Sequence, residues 1–276
     1  MVAAMLCFAS MDTLSKYIVH AYGIAEVLFV RSVIYLALAV VVARQDGGSF
    51  LRAMRTHRPW LQFGRSALAV AENATFILAF SFLPLADAHS VGASSPLIVV
   101  ALSAPLLGEK VGMHRWAAVV AGFIGVLLIV RPGFASPNLL LLIPLAGAAE
   151  WGLYQILLRL CARTDSDHTT LAWSAAVSLA LTAVVGLPNW TAPTPGGWLA
   201  LAGIGVLGSC GHYALIKALA YAPAASLQPY SYTLLVWVTV LGFLVFGDIP
   251  DHWTIAGGAV VVGSGLYAWY HELHRK

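Results

Sequence analysis

Charge is what this chain has least of. Asp, Glu, Lys and Arg make up only 10% of its 276 residues, hydrophobic residues make up 60%, and mean hydropathy is +0.82. An ordinary soluble domain is about a quarter charged, so the composition excludes one and leaves an integral membrane protein with almost no soluble part. Cysteine is nearly absent as well: Cys7, Cys161 and Cys210 stand far apart with no CxxC, and small apolar filler is their simplest role. No GxxxxGKS/T run occurs, which argues against an ATP-driven pump within this chain. No HExxH or clustered His/Cys/Asp set appears either. Neither a metal nor another cofactor is expected, and no enzymatic motif is found. The formal net charge of +3 needs no nucleic-acid partner.

Long apolar runs, by contrast, fill the chain. A helix needs about 20 mostly apolar residues to cross a hydrocarbon core. Ten such spans are expected, near 2–22, 25–43, 62–82, 87–108, 113–131, 139–161, 168–187, 197–220, 224–247 and 252–270. The longest connection, 44–59, carries Arg44, Arg52, Arg55 and Arg58. Ten of the fifteen Lys and Arg residues fall in connections or ends on one side of this arrangement, and Arg131 alone on the other. Cytoplasmic loops collect such residues, so both termini are expected in the cytoplasm, with the protein multi-pass in a bacterial inner membrane. The expected partners are the bilayer and a small-molecule substrate, with the chain a monomer or weak homodimer.

The second half repeats the first. Pro84-Leu85-Ala86 recurs as Pro223-Ala224-Ala225 and Gly108-Glu109 as Gly247-Asp248, both at an offset of 139. Each Pro opens a span, where its missing N–H does no harm. Five spans per copy is an odd number, so the copies cross the membrane in opposite senses. The expected division is 1–134 and 135–276. Inverted repeats commonly build alternating access around a midplane site; duplication for stability alone is the plainer alternative.

The run Ala79…Leu83-Pro84…Ala88…Pro96…Gly108-Glu109-Lys110…Trp116…Gly122…Gly125 resembles the repeat signature of EamA-type members of the drug/metabolite transporter superfamily. Span 6, with Glu150-Trp151…Tyr154-Gln155, is similar to that family's opening helix, and Arg31 sits where its members often place an arginine. The resemblance implies an all-α bundle of about ten transmembrane helices, built as two inverted five-helix repeats around a central cavity, with the fifth and tenth peripheral. Its nearest subgroup is the exporters of aromatic and other neutral amino acids. Asp12 stands where the second copy has Trp151, a departure that makes the two halves unlike at the cavity.

Polar residues inside spans are costly and usually face protein or water, which makes each a candidate. Asp12 and Lys16 lie one turn apart, a spacing that permits an ion pair within one helix or a paired contact to a zwitterion. Glu72, beside Asn73, and Glu150 are acids deep in apolar surroundings. Burial favours the neutral carboxyl, so either is a candidate proton carrier, or a partner for Lys16 or Arg31. His89 and His212 suit hydrogen bonds to neighbouring helices. Arg65 and Lys217 lie within snorkelling reach of the interface. Trp151, Tyr154 and Trp237 offer aromatic walls, and Gln228, Ser231 and Tyr232 share a polar face of span 9. Small residues at Ala118/Gly122, Ala121/Gly125 and Ala259/Gly263 permit close helix approach.

The reading that collects these features is a secondary transporter exporting small neutral or zwitterionic metabolites, amino acids first. Phosphorylated or nucleotide-sugar substrates, which favour clustered cations, and a non-transporting scaffold are the alternatives.

Overall fold

The computed structural model describes residues 1–45, 48–107, 112–130, 138–188, 190–221 and 230–273. Among these, the regular structure is helical: α1 (Val2–Ile18), α2 (Ile24–Gln45), α3 (Phe50–Ala53), α4 (Pro59–Phe82), α5 (Leu85–Gly92), α6 (Ser95–Leu107), α7 (Met113–Val130), α8 (Leu142–Cys161), α9 (Asp167–Gly186), α10 (Pro195–Tyr221), α11 (Thr233–Phe246) and α12 (His252–Leu273), with one 3₁₀ turn at Leu139–Leu141. Among the described residues, five stretches are long and apolar enough to cross a membrane, and Trp116–Val130 and Thr233–Phe246 are shorter apolar helices. Large apolar side chains such as Phe82, Phe123, Ile124, Phe243 and Leu244 lie exposed on the outside. Lipid tails, not water, suit such a surface.

The expected fourth span is two helices, α5 and α6, divided at Ala93-Ser94. Pro96 explains the break. It has no N–H to return to the carbonyl of Gly92, and its ring crowds that turn. Span 9 is interrupted at Tyr232, before α11. Residue 232 lies 139 after Ala93, the offset at which the sequence repeats.

The packing is symmetric between halves. α7 packs on α12 and α2 on α9, each the counterpart of the other in the repeat. The remaining main contacts come in exchanged pairs: α1 on α10 with α4 on α8, α2 on α10 with α4 on α9, and α1 on α11 with α6 on α8. The self-paired helices run antiparallel. Gly125 approaches Gly257 while His114 stacks on His271 at 4.5 Å, and Gly186 meets Ala25 while Leu171 and Ala175 cluster with Ala39 and Val42. Helices related by the repeat and pointing opposite ways are what inverted copies require.

Small residues set the closest approaches. A Cβ on Gly125 would lie 2.8 Å from the carbonyl oxygen of Gly257, and one on Gly257 would lie 2.6 Å from that of Gly125. Gly263, expected to serve the same end, has no neighbour within 4 Å of where its Cβ would be. It sits on a part of α12 that faces away from α7. Three apolar clusters result among the described residues, one gathered around α4 to α7, one around α1, α2 and α10, and a smaller one between α2 and α9. Leu234 and Trp237 of α11 pack against the first two.

Candidate substrate site

A cavity of about 40 Å³ opens between α2, α4, α8, α9 and α10. From α2 it takes Leu28, Arg31, Ser32 and Tyr35, spaced i, i+3, i+4 and i+7 and therefore on one face. From α9 it takes Ser174, Ser178 and Thr182, again one stripe. Asn73 of α4, Tyr154 of α8 and His212 of α10 complete the polar wall. Its hydroxyls are held by their own helices: Ser32 donates to Leu28 O at 2.7 Å, Ser174 to Thr170 O at 2.9 Å and Thr182 to Ser178 O at 2.6 Å. Their oxygens are left as acceptors. His212 Nδ1 lies 3.2 Å from Gly208 O. A carbonyl can only accept, so Nδ1 carries a proton, and in the neutral ring Nε2 is an acceptor.

Two arginines meet this wall. Arg31 donates through Nη1 to Asn73 Oδ1. Arg65 is fully buried, which corrects the expectation that it snorkels. Its side chain turns inward between α4, α8 and α9, where a fork of donors finds a full set of acceptors. It reaches Gln62 Oε1 at 3.0 Å, Ser66 Oγ at 3.2 Å, Thr170 O at 3.0 Å, Ser174 Oγ at 2.9 Å and Tyr154 OH at 3.3 Å. Gln62 in turn donates to Asp165 Oδ2 at 2.8 Å, which also accepts from Thr56 at 2.6 Å. Lys217 is exposed, its ammonium 5.6 Å from the Tyr213 ring.

Two further contacts join charged residues across the fold. Lys16 does not bond Asp12. It reaches Asp248 Oδ2 at 2.7 Å and Leu83 O at 3.1 Å, with its ammonium 4.8 Å from the Phe246 ring. Asp12 instead lies 3.1 Å from His89 Nε2. The expected pair within α1 gives way because each side chain finds a partner elsewhere in the fold, Lys16 in the connection after α11 and Asp12 on α5. His89 is packed against Phe76 and Phe80, with ring centroids 5.5 and 5.3 Å away. Of the cavity residues anticipated from the sequence, Tyr154 and His212 lie in this wall, and Trp151 stacks on Tyr154 at 5.2 Å.

Other candidates lie outside it. Glu72 is half-buried on α4 beside Asn73. Glu150 Oε2 is buried without a hydrogen-bond partner among the described residues, as is Trp237 Nε1. The Tyr232 hydroxyl fills the notch left by Gly265 of α12 and so faces a peripheral helix. Gln228 lies outside the described residues. Ser32, Tyr35, Ser174, Ser178 and Thr182 were not singled out from the sequence. The signal for the last three was there, a stripe of hydroxyls every fourth residue along an otherwise apolar span.

Comparison with known proteins adds identity to geometry. A family model described as the EamA-like transporter family matches residues 1–131 and again 138–269. A riboflavin transporter of Vibrio cholerae is 28% identical, over 100% of this chain and 93% of its own length. An S-adenosylmethionine uptake transporter of Rickettsia prowazekii is 26% identical, over 95% and 88%. A pseudopaline exporter of Pseudomonas aeruginosa is 26% identical, over 95% and 91%. A solved crystal structure shares the fold with a TM-score of 0.67 at 20% identity, covering 99% of this chain and 98% of its own.

Proposed function

The chain belongs to the EamA-like transporter family and is a small-molecule membrane transporter, and from that premise we propose that it is a secondary carrier of metabolites joining a flat ring to a polar tail. The carrying observation is the cavity between the halves, which sets the Tyr35 and Tyr154 rings among hydroxyls and an arginine. Aromatic faces suit flat rings, and a mixed set of donors and acceptors suits polar tails. Riboflavin and S-adenosylmethionine, named for two of the relatives, share that build. The space of about 40 Å³ holds only part of such a molecule. Entry therefore needs the two halves, taken as 1–134 and 135–276, to rock apart, the alternating access that inverted repeats permit.

Free amino acids are the second reading, favoured by charges of both signs within the bundle, notably Asp12 beside His89 and Arg31 in the cavity wall. Relatives are named for uptake and for export alike, so membership of the family sets no direction. The site is the inner membrane, with both termini cytoplasmic, on the strength of the Lys and Arg distribution.

Counterflow in proteoliposomes holding only the purified protein tests the proposal, with labelled riboflavin, S-adenosylmethionine and amino acids and no ATP. Saturable exchange of a ring metabolite, reduced at least tenfold in Tyr154→Ala, is the expected result. Exchange of amino acids alone would establish the second reading. Correctly inserted protein that exchanged none of these would sink both.

A further inference from the structure

Two guanidinium groups meet at the cavity wall, Arg65 fully buried and Arg31 half-buried, and no carboxylate among the described residues closes an ion pair with either. Arg31 lines it and donates to a neutral amide oxygen. Arg65 reaches it through Tyr154 and Ser174, both of which line it, and every group Arg65 contacts is neutral. The ion pairs of Lys16 with Asp248 and of Asp12 with His89 involve neither arginine. Asp12 and Glu72 lie within electrostatic reach of Arg31, yet neither bonds it, and Asp165 meets Arg65 only through Gln62. Buried cations ordinarily acquire a counter-charge. Here the counter-charge has a place to come from outside.

The donors around that place are arranged for an oxyanion. Tyr154 OH accepts from Arg65 Nη1 at 3.3 Å. A phenol that accepts from a cation keeps its own proton free and polarised for donation. Arg31, whose Nη1 reaches Asn73, has further N–H groups beyond that one bond. One water occupies about 10–15 Å³ measured this way, so a cavity of about 40 Å³ takes a group of a few heavy atoms. A planar carboxylate fits that size and supplies one negative charge. A tetrahedral phosphate is bulkier and demands more donors.

We propose that Arg31 and the Arg65–Tyr154 pair form an oxyanion subsite that receives the carboxylate of the transported molecule. This deepens the transport reading and rests on it: the polar tail is anionic. Arg31 and Tyr154 touch the carboxylate, while Arg65 is a positioning residue that acts through Tyr154. Among ring metabolites, S-adenosylmethionine carries such a group and riboflavin does not.

The test needs no knowledge of the substrate. The detergent-purified full chain is heated in sodium acetate, acetamide, sodium phosphate or sodium chloride at matched ionic strength where ions are present. Acetate alone is expected to raise Tm, by about 2–4 °C at several times its Kd, and Arg31→Gln and Tyr154→Phe are expected to lose that rise while keeping the basal Tm within a few degrees. Both variants leave Arg65 in place, because replacing Arg65 threatens folding itself. An equal response to acetamide, a response to phosphate equal to or above that to acetate, or a rise that survives in both variants would overturn the subsite, as would no response at all. Counterflow fails or succeeds independently of this outcome, so loss of the subsite and loss of the transport reading are told apart.

Discussion

At the residue scale the decisive groups are those whose charge finds a partner only through tertiary packing. Arg65 has five acceptors from three helices. Arg65→Met strands buried acceptors, and a cost of about 3 kcal/mol is expected, read as a lower denaturation midpoint in detergent. Arg65→Lys recovers less than half of that, because an ammonium lacks the planar fork. Lys16 and Asp248, their side chains 15% and 24% exposed, tie the first repeat to the second. Lys16→Asp and Asp248→Lys singly should each cost about 1 kcal/mol, and the double exchange should restore most of it; a purely additive pair would show that the contact carries no coupling. Glu150, with an unpartnered buried oxygen, is a candidate proton carrier that a neutral variant tests. Glu150→Gln is expected to abolish accumulation driven by ΔpH while leaving counterflow within twofold of wild type. Equal loss of both would remove it as a candidate. Asp12, Lys16, His89 and Glu150 were legible as candidates, since a charge in an apolar span announces itself. Their partners were not, because Lys16 and Asp248 are separated by 232 residues and only folding brings them together.

At the element scale, glycines and one proline decide the geometry. α7 and α12 touch backbone to backbone at Gly125 and Gly257. Gly125→Ala forces these helices apart, and a loss of about 1–3 kcal/mol is expected, while Gly263→Ala should fall within about 0.5 kcal/mol of wild type; parallel melts of the two variants check the contrast. Both glycines sit in the same small-xxx-small pattern, so periodicity alone does not separate them. What separates them is rotation about the helix axis, which is set by packing. Gly203, Gly205, Gly208 and Gly211 of α10 behave as their composition suggests: added Cβ atoms would meet Leu14, Ile34, Met11 and Phe8 of α1 and α2. The division between α5 and α6 was readable in Pro96, whereas the interruption at Tyr232 follows from its place in the repeat.

At the scale of the whole molecule, two copies of one five-helix pattern pack so that the main contacts come in exchanged pairs. We expect accessibility probes placed at loops 44–59 and 188–196 to label from opposite faces of the membrane, with the first and both termini on the cytoplasmic side; labelling of both loops from one face would refute the inverted topology. The number of spans, their near limits and the repeat itself were determined by the sequence alone. Hydropathy and the 139-residue offset are properties of the chain that need no partner, because each helix satisfies its own backbone within the bilayer. Which polar side chains meet was decided only by the tertiary structure. A hydroxyl stripe on α9, a tyrosine on α8 and arginines on α2 and α4 become one cavity because antiparallel packing of the halves brings those faces together. Nothing local to any one helix states where its neighbour's face will lie.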